Sequence, residues 1–287
     1  MKDLRWCAIT NDTAISCPYC FHHCQLKEGQ SGLCHARANH GARSVSLSYG
    51  RVASVALDPI EKKPLARFCP GSMILSVGTF GCNLNCPFCQ NYELAGAGPD
   101  TLVTEELPPA RLAELAYSLR EQNNIGAAYT YNEPMVGWEY VRDCAKEVRA
   151  LGMKNVVVTN GSVTEAALAP VLPFIDAWNI DLKGFTEDYY KWLGGDLETV
   201  KRFITAAAAN AHVELTTLIV PGKNDAEEEM RRMAEWIASV DENIPLHITR
   251  FFPRRLVTDR AATSAQTLRE LAETAKEKLK TVIIGNV

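Results

Sequence analysis

Residues 73–91 read MILSVGTFGCNLNCPFCQN. The first six residues read as a strand, and the loop after them carries Cys82, Cys86 and Cys89 in a C-x3-C-x2-C spacing. Gly78 and Gly81 give the backbone freedom to wrap that loop around something. In folds built on parallel strands the chemistry gathers at the C-terminal strand ends, which is where this loop falls. Four soft thiolates would close a zinc or iron–sulfur site, whereas three leave one metal position open to a substrate or cofactor. No histidine lies between residues 41 and 211, so a Cys3His zinc site would need a distant ligand such as His212 or His247. A structural zinc knuckle is the plain alternative.

The pattern continues downstream. GAAYTY, KNVVVTN, AWNIDLK, VELTTLIV and PLHITRF read as further strands, with helical patterns among them. VGWEYVRDCAKEVRAL puts Val141, Cys144, Val148 and Leu151 on one apolar stripe, so Cys144 reads as core packing. Asp225 and Glu228 resemble a capping box for the helix after Asn224, and SAQTLRELAETAKEKL makes the last helix. Strand–helix alternation calls for a parallel sheet. The residues after 71 accommodate six units of about 36 residues, whereas a complete eight-unit barrel takes ~250. The expected fold class is therefore α/β: an incomplete (β/α)6 TIM-like barrel over residues 71–287, preceded by a small N-terminal cysteine-rich module at residues 1–70. In that module SVSLSYG and RVASVALD read as hairpin strands, and the charged run in DPIEKKPL reads as a solvated face.

The chain has 287 residues, 47% of them hydrophobic, which is enough for a large core. Its net charge of −4 argues against a nucleic-acid binder, which would carry a basic face. No apolar run reaches membrane-span length, and MKDLRWCAITND has no apolar signal core, so the expected compartment is the cytoplasm and no membrane is expected as a partner. In that compartment clustered cysteines are metal ligands or redox groups more often than disulfides. Cys17, Cys20, Cys24 and Cys34 form a second set, spaced C-x2-C-x3-C-x9-C on a loop with Gly29 and Gly32. Four thiolates make a closed site suited to zinc or to an additional [4Fe-4S] cluster; a small module with little core gains most from a structural zinc. Cys7 and Cys69 are expected to have no metal role.

The C-x3-C-x2-C spacing, with the aromatic Phe88 just before its last cysteine, resembles the signature of radical S-adenosylmethionine (SAM) enzymes. The resemblance implies that Cys82, Cys86 and Cys89 hold three irons of a [4Fe-4S] cluster and that SAM chelates the fourth. It implies reductive cleavage of SAM to a 5′-deoxyadenosyl radical, which takes a hydrogen atom from a substrate. YTYNEP stands where the family has Gly-Gly-Glu: Glu133 matches, while Tyr131 and Asn132 replace the glycines. TNG (Thr159, Asn160, Gly161) matches a turn near the ribose and methionyl parts of SAM, with Val158 where activating enzymes often carry Asp. DLK places Asp181 and Lys183 on one strand face, a lysine suited to the SAM carboxylate; an ordinary barrel-interior salt bridge is the bland alternative. His247 resembles a histidine near the cofactor in activating enzymes, with a satisfied core histidine as its alternative, and Arg250 is a weaker candidate.

CPYCFHHCQLKEGQSGLCHAR, DPIEKKPL, PGS, GTFGCNLNCPFCQN, TYNEP and GNV occur in that order. Together they resemble the radical SAM member of the AmmeMemoRadiSam system, related to the pyruvate formate-lyase activating enzymes. This implies companion proteins with Memo and AMMECR1 domains, a reducing flavodoxin or ferredoxin, and a place for DPIEKKPL at the barrel mouth or a partner surface. Three rivals stand beside the oxidoreductase reading: an activase that places a glycyl radical on a partner enzyme, a non-catalytic metal-binding or electron-transfer protein, and a zinc-dependent barrel hydrolase. The lack of a His-rich set at the strand ends weighs against the last.

Overall fold

The structure is a computed structural model and describes residues 14–286, so Cys7 lies outside the described residues. One eight-stranded sheet carries the fold: β1 (Ser54–Pro59), β2 (Met73–Gly78), β3 (Asn124–Tyr129), β4 (Lys154–Thr159), β5 (Ala177–Asp181), β6 (His212–Ile219), β7 (Leu246–Arg250) and β8 (Val282–Gly285). Sheet order follows chain order, with β1 and β8 at the two edges. β1 runs antiparallel to β2, with Asp58 opposite Ile74; each later pair is parallel. Because β1 and β8 do not pair, the barrel is incomplete.

Helices α1 (Pro109–Ser118), α2 (Trp138–Ala150), α3 (Glu187–Leu193), α4 (Leu197–Ala208), α5 (Glu227–Asp241) and α6 (Ala265–Lys276) connect the strands. Alternation along each strand splits the core in two. Leu75, Val157, Trp178 and Leu215 pack against buried helical residues such as Val141, Phe203 and Leu271. Ile74, Val156 and Ala177 face the other way and meet Ile60 and Leu65 from the segment after β1. That segment plugs the inner face of the sheet.

All six expected barrel strands are present, and two more flank them. RVASVALD, expected as a module hairpin, is divided: Arg51 and Val52 pair with Glu106 and Glu105, and from Ser54 onward the segment enters β1 and joins the barrel sheet. β8, VIIG, is half-buried at all four positions, so no period-2 alternation marks it. Leu151 leaves the expected stripe because it is the C-cap of α2 and is exposed. The capping box does not form: α5 starts at Glu227 after Ala226, and Asp225 Oδ2 instead accepts from the Gly222 N–H at 2.9 Å. The DPIEKKPL run is only partly solvated. Lys63 is buried and donates to Asp58 Oδ2 at 2.9 Å, and the Tyr131 hydroxyl donates to the same oxygen at 2.7 Å. No helix among the described residues is long and apolar enough to cross a membrane.

Candidate functional site

The loop after β2 is held from three directions. The Cys82 N–H donates to the Cys34 carbonyl at 3.1 Å, and the Asn85 N–H donates to the Leu193 carbonyl at 2.8 Å. Arg255 donates through Nη1 to the Cys86 carbonyl at 2.6 Å and through Nη2 to Asn85 Oδ1 at 2.9 Å. Gly81 sits at φ +89°, where a Cβ would collide with the Cys34 carbonyl and the Ala36 side chain. Its freedom serves the docking of this loop on the N-terminal module. Leu84, Phe88, Tyr189, Leu193, Phe251 and Val257 pack around the cysteines as a buried apolar wall. Phe88 therefore acts by packing, with its ring centroid 5.6 Å from that of Trp192.

Glu133 is buried, and its carboxylate is shared among three donors. Oε1 accepts from Thr159 Oγ1 at 2.7 Å and from the Met135 N–H at 3.0 Å; Oε2 accepts from the Asn160 N–H at 2.7 Å. Burial pushes this carboxyl up to about 7, against the pull of those hydrogen bonds. Asn160 carries the connection onward: its Nδ2 donates to Asn83 Oδ1 at 2.9 Å and lies 3.6 Å from Cys82 Sγ. Glu133, Thr159, Asn160 and the first loop cysteine thus belong to one network.

Close to Cys86, Lys183 Nζ donates to Asp181 Oδ2 at 2.7 Å. Burial works against the Lys183 charge, but Asp181, Cys86 and Cys89 outweigh it and hold its pKa well above the ordinary value. Burial, joined by the charges of Glu133 and Cys86, pushes the Cys82 thiol well up; burial also takes Cys86 to about 11, with Lys183 opposing. One buried thiol and two half-buried ones beside a cation make a soft donor set that stays protonated until a metal centre displaces the protons. The buried Tyr189 hydroxyl, without a hydrogen-bond partner among the described residues, lies close enough to Cys86 and Lys183 to feel their charges. An orphaned donor next to three thiols fits a site that takes a further polar group.

His247 is not brought to this site. It lies near the N-terminal end of β7, with Nε2 2.6 Å from Glu214 Oε2. Glu214 also contacts His212 Nε2 at 2.9 Å and accepts from the Ala66 and Arg67 N–H groups at 3.0 and 2.7 Å. These groups seat the plug segment, so the core-histidine alternative describes His247. Arg250 donates to the Thr263 carbonyl at 2.7 Å, which ties down its own loop. Asn83 and Arg255 were not legible as site residues: neither belongs to a spacing pattern, and Arg255 is 169 positions from its partner Cys86.

In the N-terminal module Cys17, Cys20, Cys24 and Cys34 line one cavity, together with Tyr19, His22, Gly32, Arg37 and Val136. Burial, with Cys34, Cys17 and Cys24 adding to it, pushes the Cys20 thiol up to about 12. Arg37 is buried and pairs with Glu139 at 2.6 Å. Among the described residues, no three His, Cys, Asp or Glu side chains close around a single-ion point in either cysteine set.

The family model for the Radical SAM superfamily matches residues 76–237, from β2 into α5. That span holds the three-cysteine loop, Glu133, the Thr159–Gly161 turn, Asp181 and Lys183. An uncharacterized protein of Methanocaldococcus jannaschii is 36% identical over 290 residues, covering 100% of this chain and 86% of that protein. A solved domain of pyruvate-formate lyase-activating enzyme from Bacteroides vulgatus superposes with a TM-score of 0.50 at 17% identity, covering 56% of this chain and 99% of the domain. A radical SAM methyltransferase from Sphaerobacter thermophilus gives a TM-score of 0.56 at 13% identity, covering 76% of this chain and 67% of that one. At those identities the superpositions speak for the fold, a partial barrel of parallel strands. The three-cysteine loop at a strand end and a family match over more than half of the sequence lead to one conclusion: this chain belongs to the radical SAM superfamily.

Proposed function

We propose that this protein is a radical SAM oxidoreductase whose catalytic cluster is held by Cys82, Cys86 and Cys89. The observation that carries the reading is the network joining Cys82, Asn160, Thr159 and Glu133, together with the Asp181–Lys183 pair close to Cys86. Bound at these thiolates, a [4Fe-4S] cluster would supply the single electron that splits SAM into methionine and a 5′-deoxyadenosyl radical, which abstracts hydrogen from the substrate. The chain's own residues do the rest. Glu133 offers a buried carboxylate to the SAM ammonium: Oε1 already accepts two hydrogen bonds, and Oε2, which accepts one, keeps a free acceptor site. Lys183 offers a cation to the SAM carboxylate, with Asp181 fixing its reach. The apolar wall of Leu84, Phe88, Phe251 and Val257 keeps water from the reacting carbon. Anaerobically reconstituted protein with dithionite and SAM is expected to yield 5′-deoxyadenosine; no 5′-deoxyadenosine would sink the reading.

The same site would also serve a glycyl-radical activating enzyme, and the fold likeness to the Bacteroides vulgatus domain favours keeping that target class in view. Deuterium passing from a labelled partner glycine into 5′-deoxyadenosine separates this target from a small molecule. The proposal includes a metal at Cys17, Cys20, Cys24 and Cys34, a reducing flavodoxin or ferredoxin, companion proteins with Memo and AMMECR1 domains, and work in the cytoplasm.

A further inference from the structure

We propose that the four-cysteine site of the N-terminal module holds an iron–sulfur cluster that passes electrons to the radical site across the Cys34–Cys82 hydrogen bond. The proposal rests on Cys82, Cys86 and Cys89 being the ligands of the catalytic cluster.

Two observations carry it. Four thiols converge on one enclosed cavity. Ser44 Oγ lies 3.3 Å from Cys17 Sγ, and the buried Arg37 lines the same cavity. Donors to sulfur, and a buried cation such as Arg37, are the levers by which a protein sets a cluster's reduction potential. Zinc, the other metal suited to four thiolates, would be redox-silent.

The second observation is the link. The carbonyl of Cys34 accepts the N–H of Cys82 at 3.1 Å, and His22 Nε2 lies 2.8 Å from the Asn83 carbonyl. A ligand of one site is therefore bonded to a ligand of the other, with no intervening side chain or solvent. Leu33, beside Cys34, is exposed, which gives a redox protein access to the outer edge of the module. The transfer balances simply. A low-potential one-electron carrier, a reduced flavodoxin or ferredoxin, loses one electron; the N-terminal cluster gains it and then returns to its oxidised state by reducing the catalytic cluster. No proton or group moves.

The test compares anaerobically prepared wild type, a C20A/C24A variant and a C82A/C86A/C89A variant. Wild type is expected to hold about eight irons and the triple variant about four, with a Mössbauer spectrum of a four-iron centre. About four irons and one zinc in wild type, or an iron-free triple variant, would overturn the proposal. The kinetic arm measures SAM cleavage driven by reduced flavodoxin and by dithionite, which is small enough to reach either site. The ratio of the two rates is expected to fall about tenfold or more in C20A/C24A. An unchanged ratio would overturn the relay. Iron in the triple variant reads the N-terminal site without SAM chemistry. A failure of the catalytic reading shows differently, as wild type that makes no 5′-deoxyadenosine with dithionite, and it would remove the relay's acceptor.

Discussion

Cys82 and Cys34 are joined by a backbone hydrogen bond of 3.1 Å, so the three-cysteine loop is seated on the N-terminal module at its first ligand. Gly81 makes that approach feasible, since a side chain there would strike the Cys34 carbonyl. Gly81→Ala adds this clash to a positive φ, which costs roughly 1–2 kcal/mol for a residue with a Cβ. The variant is expected to fold with a slightly lower melting temperature and to lose most of the iron bound at the loop. Iron analysis beside a thermal melt checks this; full iron content would show that the seating is not needed.

Glu133 is the residue whose charge state the site controls most closely. Burial holds its carboxyl at about 7, above its ordinary 4.5. The group is protonated below that value and ionised above it, and the SAM ammonium requires the ionised form. SAM affinity should therefore rise from pH 6 to pH 8, with proton release on binding near pH 7. Calorimetry in two buffers of different ionisation enthalpy reads that release. Glu133→Gln should weaken SAM binding about tenfold or more and abolish the proton release. A pH-independent affinity in wild type would count against Glu133 as the ammonium's partner.

Asp181 and Lys183 separate a binding role from an ordinary salt bridge. Lys183→Gln should raise the SAM dissociation constant about tenfold or more, because a charge-assisted contact is lost. Asp181→Asn should have a smaller effect, since the cation remains. If both variants lower the melting temperature and neither changes SAM affinity, the pair is structural only.

Glu214 contributes to the acid sensitivity of the fold. Its burial opposes ionisation, but His212, His247 and the Ala66 and Arg67 N–H groups outweigh that and hold the carboxyl at about 2, below its ordinary 4.5. Its folded pKa is depressed, so its stabilising contribution is complete above about pH 5 and is lost as pH falls from 4.5 towards 2. Glu214→Gln should destabilise the protein by about 3 kcal/mol at pH 7 and flatten that acid limb. Chemical denaturation at pH 7, 4 and 3 measures both. In the same series His247→Gln should leave SAM affinity unchanged, whereas a histidine in contact with the cofactor would not.

Local signals in the sequence marked what is local in the structure. The strands from MILSVG to PLHITRF carry their own apolar runs, and both cysteine sets carry their own spacing. What escaped notice depends on distant partners. β1 is an edge strand only because β2 accepts it, and Lys63 is buried only because Asp58 and Tyr131 enclose its charge. Arg255 reaches Cys86 from a residue at φ +54°, a backbone state that no feature of PRRLV announces. His247 is the converse case, a residue type and strand position that suited a cofactor, with Glu214 as the partner the structure gives it.

The plug segment has a consequence for the order of assembly. Its anchor, the bond between Ala66 and Glu214, joins residues 148 positions apart. During synthesis from the N-terminus, all seven clustered cysteines emerge before the strand that carries Glu214. Both thiol sets are therefore exposed to a maturation factor while the barrel floor is still open. Closing that floor is a late, long-range step of the kind that slows folding. A chain stalled before it would present its cysteines to oxidants, so anaerobic co-expression with iron–sulfur assembly proteins should recover more folded protein than reconstitution after purification.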